Sequence, residues 1–125
     1  MGTRMTVEMI GREVVFEFAD PYGEAFRGFV EDRIREGKMV PMEGTPVLID
    51  GDEPEFGKRA SVVLSAESDA RFETVGDTNV HEPIDGMTKS DAFSEFRDEL
   101  KHFGSVTFSD LGVGPGSYRY GDSAR

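Results

Sequence analysis

Met5-Thr6-Val7-Glu8-Met9-Ile10-Gly11-Arg12-Glu13-Val14-Val15-Phe16-Glu17-Phe18 alternates apolar with polar side chains on either side of a glycine. A period of two belongs to a strand with one face in a core. Gly11-Arg12 offers a two-residue turn with Gly in its first position, so the stretch reads as a β-hairpin. That register sets Met9 opposite Val14, Val7 opposite Phe16 and Met5 opposite Phe18. All six then share one face, with Thr6, Glu8, Glu13 and Glu17 on the other. A slip of one residue would turn every apolar side chain to water, which is why the pattern specifies the pairing.

A helix follows the hairpin. Asp20 suits the N-cap and Pro21 the first helical position, where a missing N–H has no partner in any case. Tyr22, Ala25, Phe26, Phe29, Val30 and Ile34 recur at three- and four-residue spacing, opposite Glu24, Arg27, Glu31 and Arg35. Gly37 suits a left-handed C-cap, and mid-helix Gly28 costs about 1 kcal/mol against Ala. Residues 38–59 carry Pro41, Pro46 and Pro54, and only Val47-Leu48-Ile49 reads as a strand there. Residues 60–65 and 70–75 read as two further strands, joined by the polar turn Ala66-Glu67-Ser68-Asp69. A long loop, 76–87, precedes a second helix near Thr88 or Ser90, striped by Ala92, Phe93, Phe96, Leu100 and Phe103 and ended by Gly104. Val106-Thr107-Phe108 is the last strand. The expected architecture is α+β in the order ββαβββαβ: an antiparallel sheet of about six strands with two amphipathic helices. The domain spans residues 1–111, and a Gly/Ser-rich tail occupies 112–125.

Composition narrows the function classes. The chain has 25 acidic residues against 14 basic ones, a net charge of -11. That balance repels phosphates and argues against direct nucleic-acid binding. It suits a solvated surface, a basic protein partner, mimicry of nucleic acid, or a salty cytoplasm, the last supported by only four Lys against ten Arg. No cysteine is present, which removes disulfides, thiolate nucleophiles and Cys-based zinc sites. No apolar run approaches a membrane span, and nothing resembles a signal peptide. The expected location is the cytoplasm, or a particle assembled there.

The run Gly11-Arg12-Glu13-Val14-Val15-Phe16-Glu17-Phe18-Ala19-Asp20 resembles the second strand of the cyclophilins, which reads as a Gly-Arg pair, alternating apolar residues, then Phe-Ala-Asp into a helix. Ala25 and Phe29 fall at similar distances to that family's helix residues. Gly86-Met87, the second helix and Val106-Thr107-Phe108 resemble its closing helix and strand. The resemblance implies a small barrel with a helix over each open end. It does not extend to the active site. There is no Phe-His-Arg, Gln-Gly-Gly-Asp or Ser-Gln-Phe-Phe run, and the chain has no Gln and no Trp.

No constellation of catalytic or metal-ligating residues stands out. Asp50, Asp52, Glu53 and Glu55 crowd one turn, but their spacing matches no calcium loop, so a solvated turn is the reading. His81-Glu82 would form an acid–base pair in the long loop, and His102 would favour a helix C-terminus. Gly112-Val113-Gly114-Pro115-Gly116 opens no helix, unlike a phosphate-cradling loop. Tyr118-Arg119-Tyr120 joins residue types enriched at interface hot spots. No catalytic, cofactor or metal residue is therefore assigned. His81, Glu82, Tyr118, Arg119 and Tyr120 are the candidate partner-binding residues, for a protein partner or a second copy. The leading expectation is a non-catalytic interaction or assembly module. A nucleic-acid-mimicking inhibitor and a divergent prolyl isomerase are the alternatives.

Overall fold

The computed structural model describes residues 2–9, 11–54, 58–76 and 88–108. Strands β1 (Gly2–Met9) and β2 (Arg12–Ala19) form the hairpin, and helix α1 (Tyr22–Arg35) follows it. Strands β3 (Val40–Gly44), β4 (Leu48–Ile49), β5 (Ala60–Leu64) and β6 (Asp69–Val75) come next, then helix α2 (Lys89–Phe103) and β7 (Val106–Thr107). The protein is α+β with two helices. Its described strands form two sheets, ordered β4-β2-β1-β6 and β5-β3-β7, where one sheet of about six strands was expected. No helix among the described residues is long and apolar enough to cross a membrane.

The hairpin keeps the expected faces but not the expected register. Met5 pairs with Phe16, Val7 with Val14 and Met9 with Arg12. Arg12 is therefore paired within β2 and is not a turn residue, so the strands close earlier than Gly11-Arg12 would have them. Gly11 has φ +77, a left-handed conformation that a glycine adopts without a Cβ penalty. The offset is an even number of residues, so Met5, Val7, Val14, Phe16 and Phe18 are still buried together.

Helix α1 starts one residue later than expected, with Pro21 at the N-cap and no side-chain cap. The Asp20 carboxylate instead accepts from the Glu24 N–H at 3.3 Å. Tyr22, Ala25, Phe26, Phe29 and Val30 are buried, as the stripe requires. Helix α2 begins with a capping box: Thr88 Oγ1 accepts from the Asp91 N–H at 3.1 Å, and the Asp91 carboxylate accepts from the Thr88 N–H at 3.2 Å. Its stripe departs from expectation at the end. Phe103 is 61% exposed because residues 101–104 all lie in water, so the last turn overhangs the core, whereas Glu99 is buried.

Strand β3 is the element the prolines concealed. It is the centre of the second sheet, antiparallel to β5 and parallel to β7. The Glu43 carbonyl accepts from the Phe108 N–H at 2.8 Å, so Glu43 turns its backbone toward β7. Backbone groups alternate sides along a strand, which turns Pro41 the same way, short of the first β7 pair at Met42 and Val106. Its missing N–H thus breaks no ladder bond. Arg59 adds a brace, donating to Glu43 at 2.8 Å and to the Phe108 carbonyl at 2.7 Å.

One aromatic core joins both sheets and both helices. Phe108 has ring centroids 4.6 Å from Phe18, 5.0 Å from Phe26 and 5.7 Å from Phe96. Phe29 lies 5.3 Å from Phe93 and 5.8 Å from Phe96. Tilted and edge-on pairs at these separations match the ring quadrupoles and add to the burial of apolar area.

Candidate functional site

None of the five sequence candidates can be placed. His81, Glu82, Tyr118, Arg119 and Tyr120 all lie outside the described residues, as does the 112–125 tail. His102 is placed: it is exposed near the end of α2, and its Nδ1–H donates to the Asp98 carbonyl at 2.8 Å. Asp50 is engaged structurally. Its carboxylate accepts from the Glu13 N–H at 2.8 Å and from Arg12 Nε at 3.3 Å, closing the β4 turn onto β2. The backbone donor first, and then the guanidinium, hold this carboxyl below its ordinary pKa.

The outer face of the first sheet carries a built ion pair. Arg4 reaches Glu17 through Nε at 3.0 Å and Nη2 at 2.7 Å, and Glu73 lies 3.7 Å from Nη1. Glu17 is buried, so this guanidinium compensates a desolvated charge and is a brace between β1 and β2.

Two clusters on the helices have chemical character. Tyr22 donates to Glu95 at 3.3 Å, and Glu95 is flanked one turn away on each side by Asp91 and Glu99. Burial, and then the two neighbouring carboxylates, push the Glu95 carboxyl above its ordinary pKa, against the Tyr22 hydrogen bond. A shallow cavity of about 410 Å³ lies between the helices over Ala25, Gly28 and Phe93, beside Arg97. Lys89 and Glu24 close 3.3 Å apart across it.

The second sheet presents a different surface. Val63 on β5 and Met39 just before β3 are 55% and 57% exposed, and Val63 pairs with Pro41 on the same face. The β5 edge is open as well. Val40, Met42 and Gly44 turn their backbone groups to β5, so Leu64, Val62 and Ala60 turn theirs back, and Ser61 and Val63 aim outward. The Val63 carbonyl accepts from Ser68 Oγ at 3.1 Å. Among the described residues no hydrogen bond meets the N–H of Ser61 or Val63. No charged residue lies within Ala60–Leu64. Exposed Lys58 precedes the strand and exposed Glu67 follows it, neither in an ion pair among the described residues.

These features went unread in the sequence, although part of the signal was there. Val62 and Leu64 alternate into the core, and that alternation leaves Val63 outside. That β5 is an edge depends on β3 being a strand, and the prolines hid β3. No family profile, curated protein or solved structure matches the chain.

Proposed function

We propose that this protein is a small acidic, non-catalytic interaction or assembly module whose partner meets the outer face and open edge of the second sheet. The observation that carries this reading is the conjunction at β5 of an uncharged strand, unmet outward N–H groups and an exposed Val63 beside Pro41. An edge of this kind is what β-strand addition uses, with main-chain bonds giving affinity and alternate side chains giving selectivity. The acidity suits a soluble module that docks through a locally uncharged patch. The likeness to cyclophilins enters this reading as a scaffold only, since the family's active-site runs are missing from the sequence.

The test compares wild type with a Met39→Ser/Val63→Lys double variant, each tagged and mixed with extract of the source cells, then sized by native mass spectrometry. Both substitutions fall on exposed positions, so the double variant keeps its Tm. Wild type enters an assembly from which the folded double variant is absent. Equal recovery of the two, or an assembly with neither, overturns the reading.

A further inference from the structure

Strand β5 is self-complementary. Run antiparallel to a second β5 with Val62 on the two-fold axis, Ser61 faces the partner's Val63, and Val63 faces the partner's Ser61. Those are the two residues whose backbone groups aim away from the sheet, so each pair exchanges both of its bonds, about four in all, with the Val63 carbonyl accepting on the lone pair that Ser68 Oγ leaves open. The exposed Val63 becomes a diagonal neighbour of the partner's Val63, within reach for apolar contact. The ends of the strand agree with this arrangement. Antiparallel pairing brings Lys58, exposed at the start of β5, beside Glu67 of the partner subunit, exposed just past its end, and symmetry repeats the contact. A parallel arrangement would set Lys58 against the partner's Lys58. The charge pattern therefore selects one direction.

We infer that the partner is a second copy of this chain, joined through β5 so that two three-stranded sheets become one of six strands. This rests on the proposed function and names the occupant of its surface. The net charge of -11 on each copy opposes association, so the dimer strengthens as ionic strength rises toward about 0.15 M, where repulsion beyond roughly 8 Å is screened.

Purified protein is sized by light scattering from about 10 µM to about 1 mM, a range that brackets a dissociation constant of about 100 µM. Wild type reaches twice 13.8 kDa. Ser61→Pro removes an outward N–H that the monomer does not use, and Val63→Lys places a charge at the junction; both stay folded by Tm and both remain monomeric. Lys58→Glu and Glu67→Lys each weaken the dimer about two- to fivefold, and the double reversal restores it. Wild type that stays monomeric throughout overturns the dimer. The interaction reading then survives only if the extract assembly still forms and is lost in the Met39→Ser/Val63→Lys variant, and it falls too if that assembly is absent. Wild type, Ser61→Pro and Val63→Lys dimerising equally would place the contact elsewhere and also overturn the proposal.

Discussion

Gly23 and Gly28 occupy the same helix, and only one of them is irreplaceable there. A Cβ built on Gly23 would stand 2.7 Å from Thr3 Oγ1, 2.8 Å from Thr3 Cβ and 3.0 Å from the Phe18 carbonyl. Thr3 is buried and Phe18 contributes backbone, so neither retreats easily. Gly23 is what lets the first turn of α1 lie against the hairpin. Gly23→Ala is expected to cost about 1–3 kcal/mol, the range for overpacking a close contact. At Gly28 the nearest atom to an added Cβ is Phe93 Cε2, 3.9 Å away, an ordinary contact. Gly28→Ala is expected to stabilise by up to about 1 kcal/mol through helix propensity. Urea midpoints of the two variants should move in opposite directions, and a shared direction would contradict this account of α1. The mid-helix glycine was legible in the sequence as a weak point. The essential one was not, because its role depends on a residue twenty positions away on β1.

Among the elements, the hairpin marks how far the sequence could be read. Its apolar alternation identifies the buried face but is blind to an even slide, because a two-residue offset leaves every side chain on its side of the sheet. The choice between registers falls to the turn, where Gly11 with φ +77 closes the strands on Met9 and Arg12. Strand β3 was hidden for a different reason: Pro41 reads as a breaker unless its N is known to face past the end of β7. Helix α2 carries the third element-scale feature, an acidic ladder of Asp91, Glu95 and Glu99 spaced one turn apart. Like charges at that spacing cost about 0.2–0.5 kcal/mol per pair. Burial chiefly, and these neighbours secondarily, raise the Glu95 pKa in the folded state. A raised folded-state pKa means this carboxyl favours folding when protonated. Its contribution is complete below the ordinary Glu value of about 4.3 and is lost as pH rises through the folded-state value. Glu95→Gln keeps an acceptor for Tyr22 and removes the charge. It is expected to raise Tm at pH 7, with the gain shrinking to nothing as the buffer is taken below about pH 4. Thermal melts of both proteins across that range check it, and a gain independent of pH would sink the electrostatic explanation.

For the molecule as a whole, two opposing electrostatic effects decide how salt acts on it. Most ion pairs among the described residues are exposed, including Arg27 with Glu31, Arg35 with Asp32, and Lys89 with Glu24. Each such pair contributes about 0–1 kcal/mol, and added salt weakens it. Against them stands the excess of acids, 25 to 14, which repels itself more in the compact state than in the unfolded chain. Among the described residues, the pair with the best-shielded carboxylate is Arg4 with buried Glu17, held at 2.7 Å. The stabilising pairs most exposed to screening are therefore the weakest ones, while the repulsion being screened is summed over the whole surface. The aromatic core does not oppose this, since sodium chloride leaves apolar burial little changed and Phe18, Phe26, Phe96 and Phe108 bind both sheets and both helices in low and high salt alike. Tm is expected to rise between about 0.02 M and about 0.5 M sodium chloride, most steeply at the low end, where the Debye length is still comparable with the size of the domain. Measured at micromolar protein on the Val63→Lys variant, the rise would report folding alone, free of any dimer. A Tm that falls with salt in that variant would mean the surface pairs outweigh the repulsion, and that the acids are arranged for mutual neutralisation and not merely for solubility.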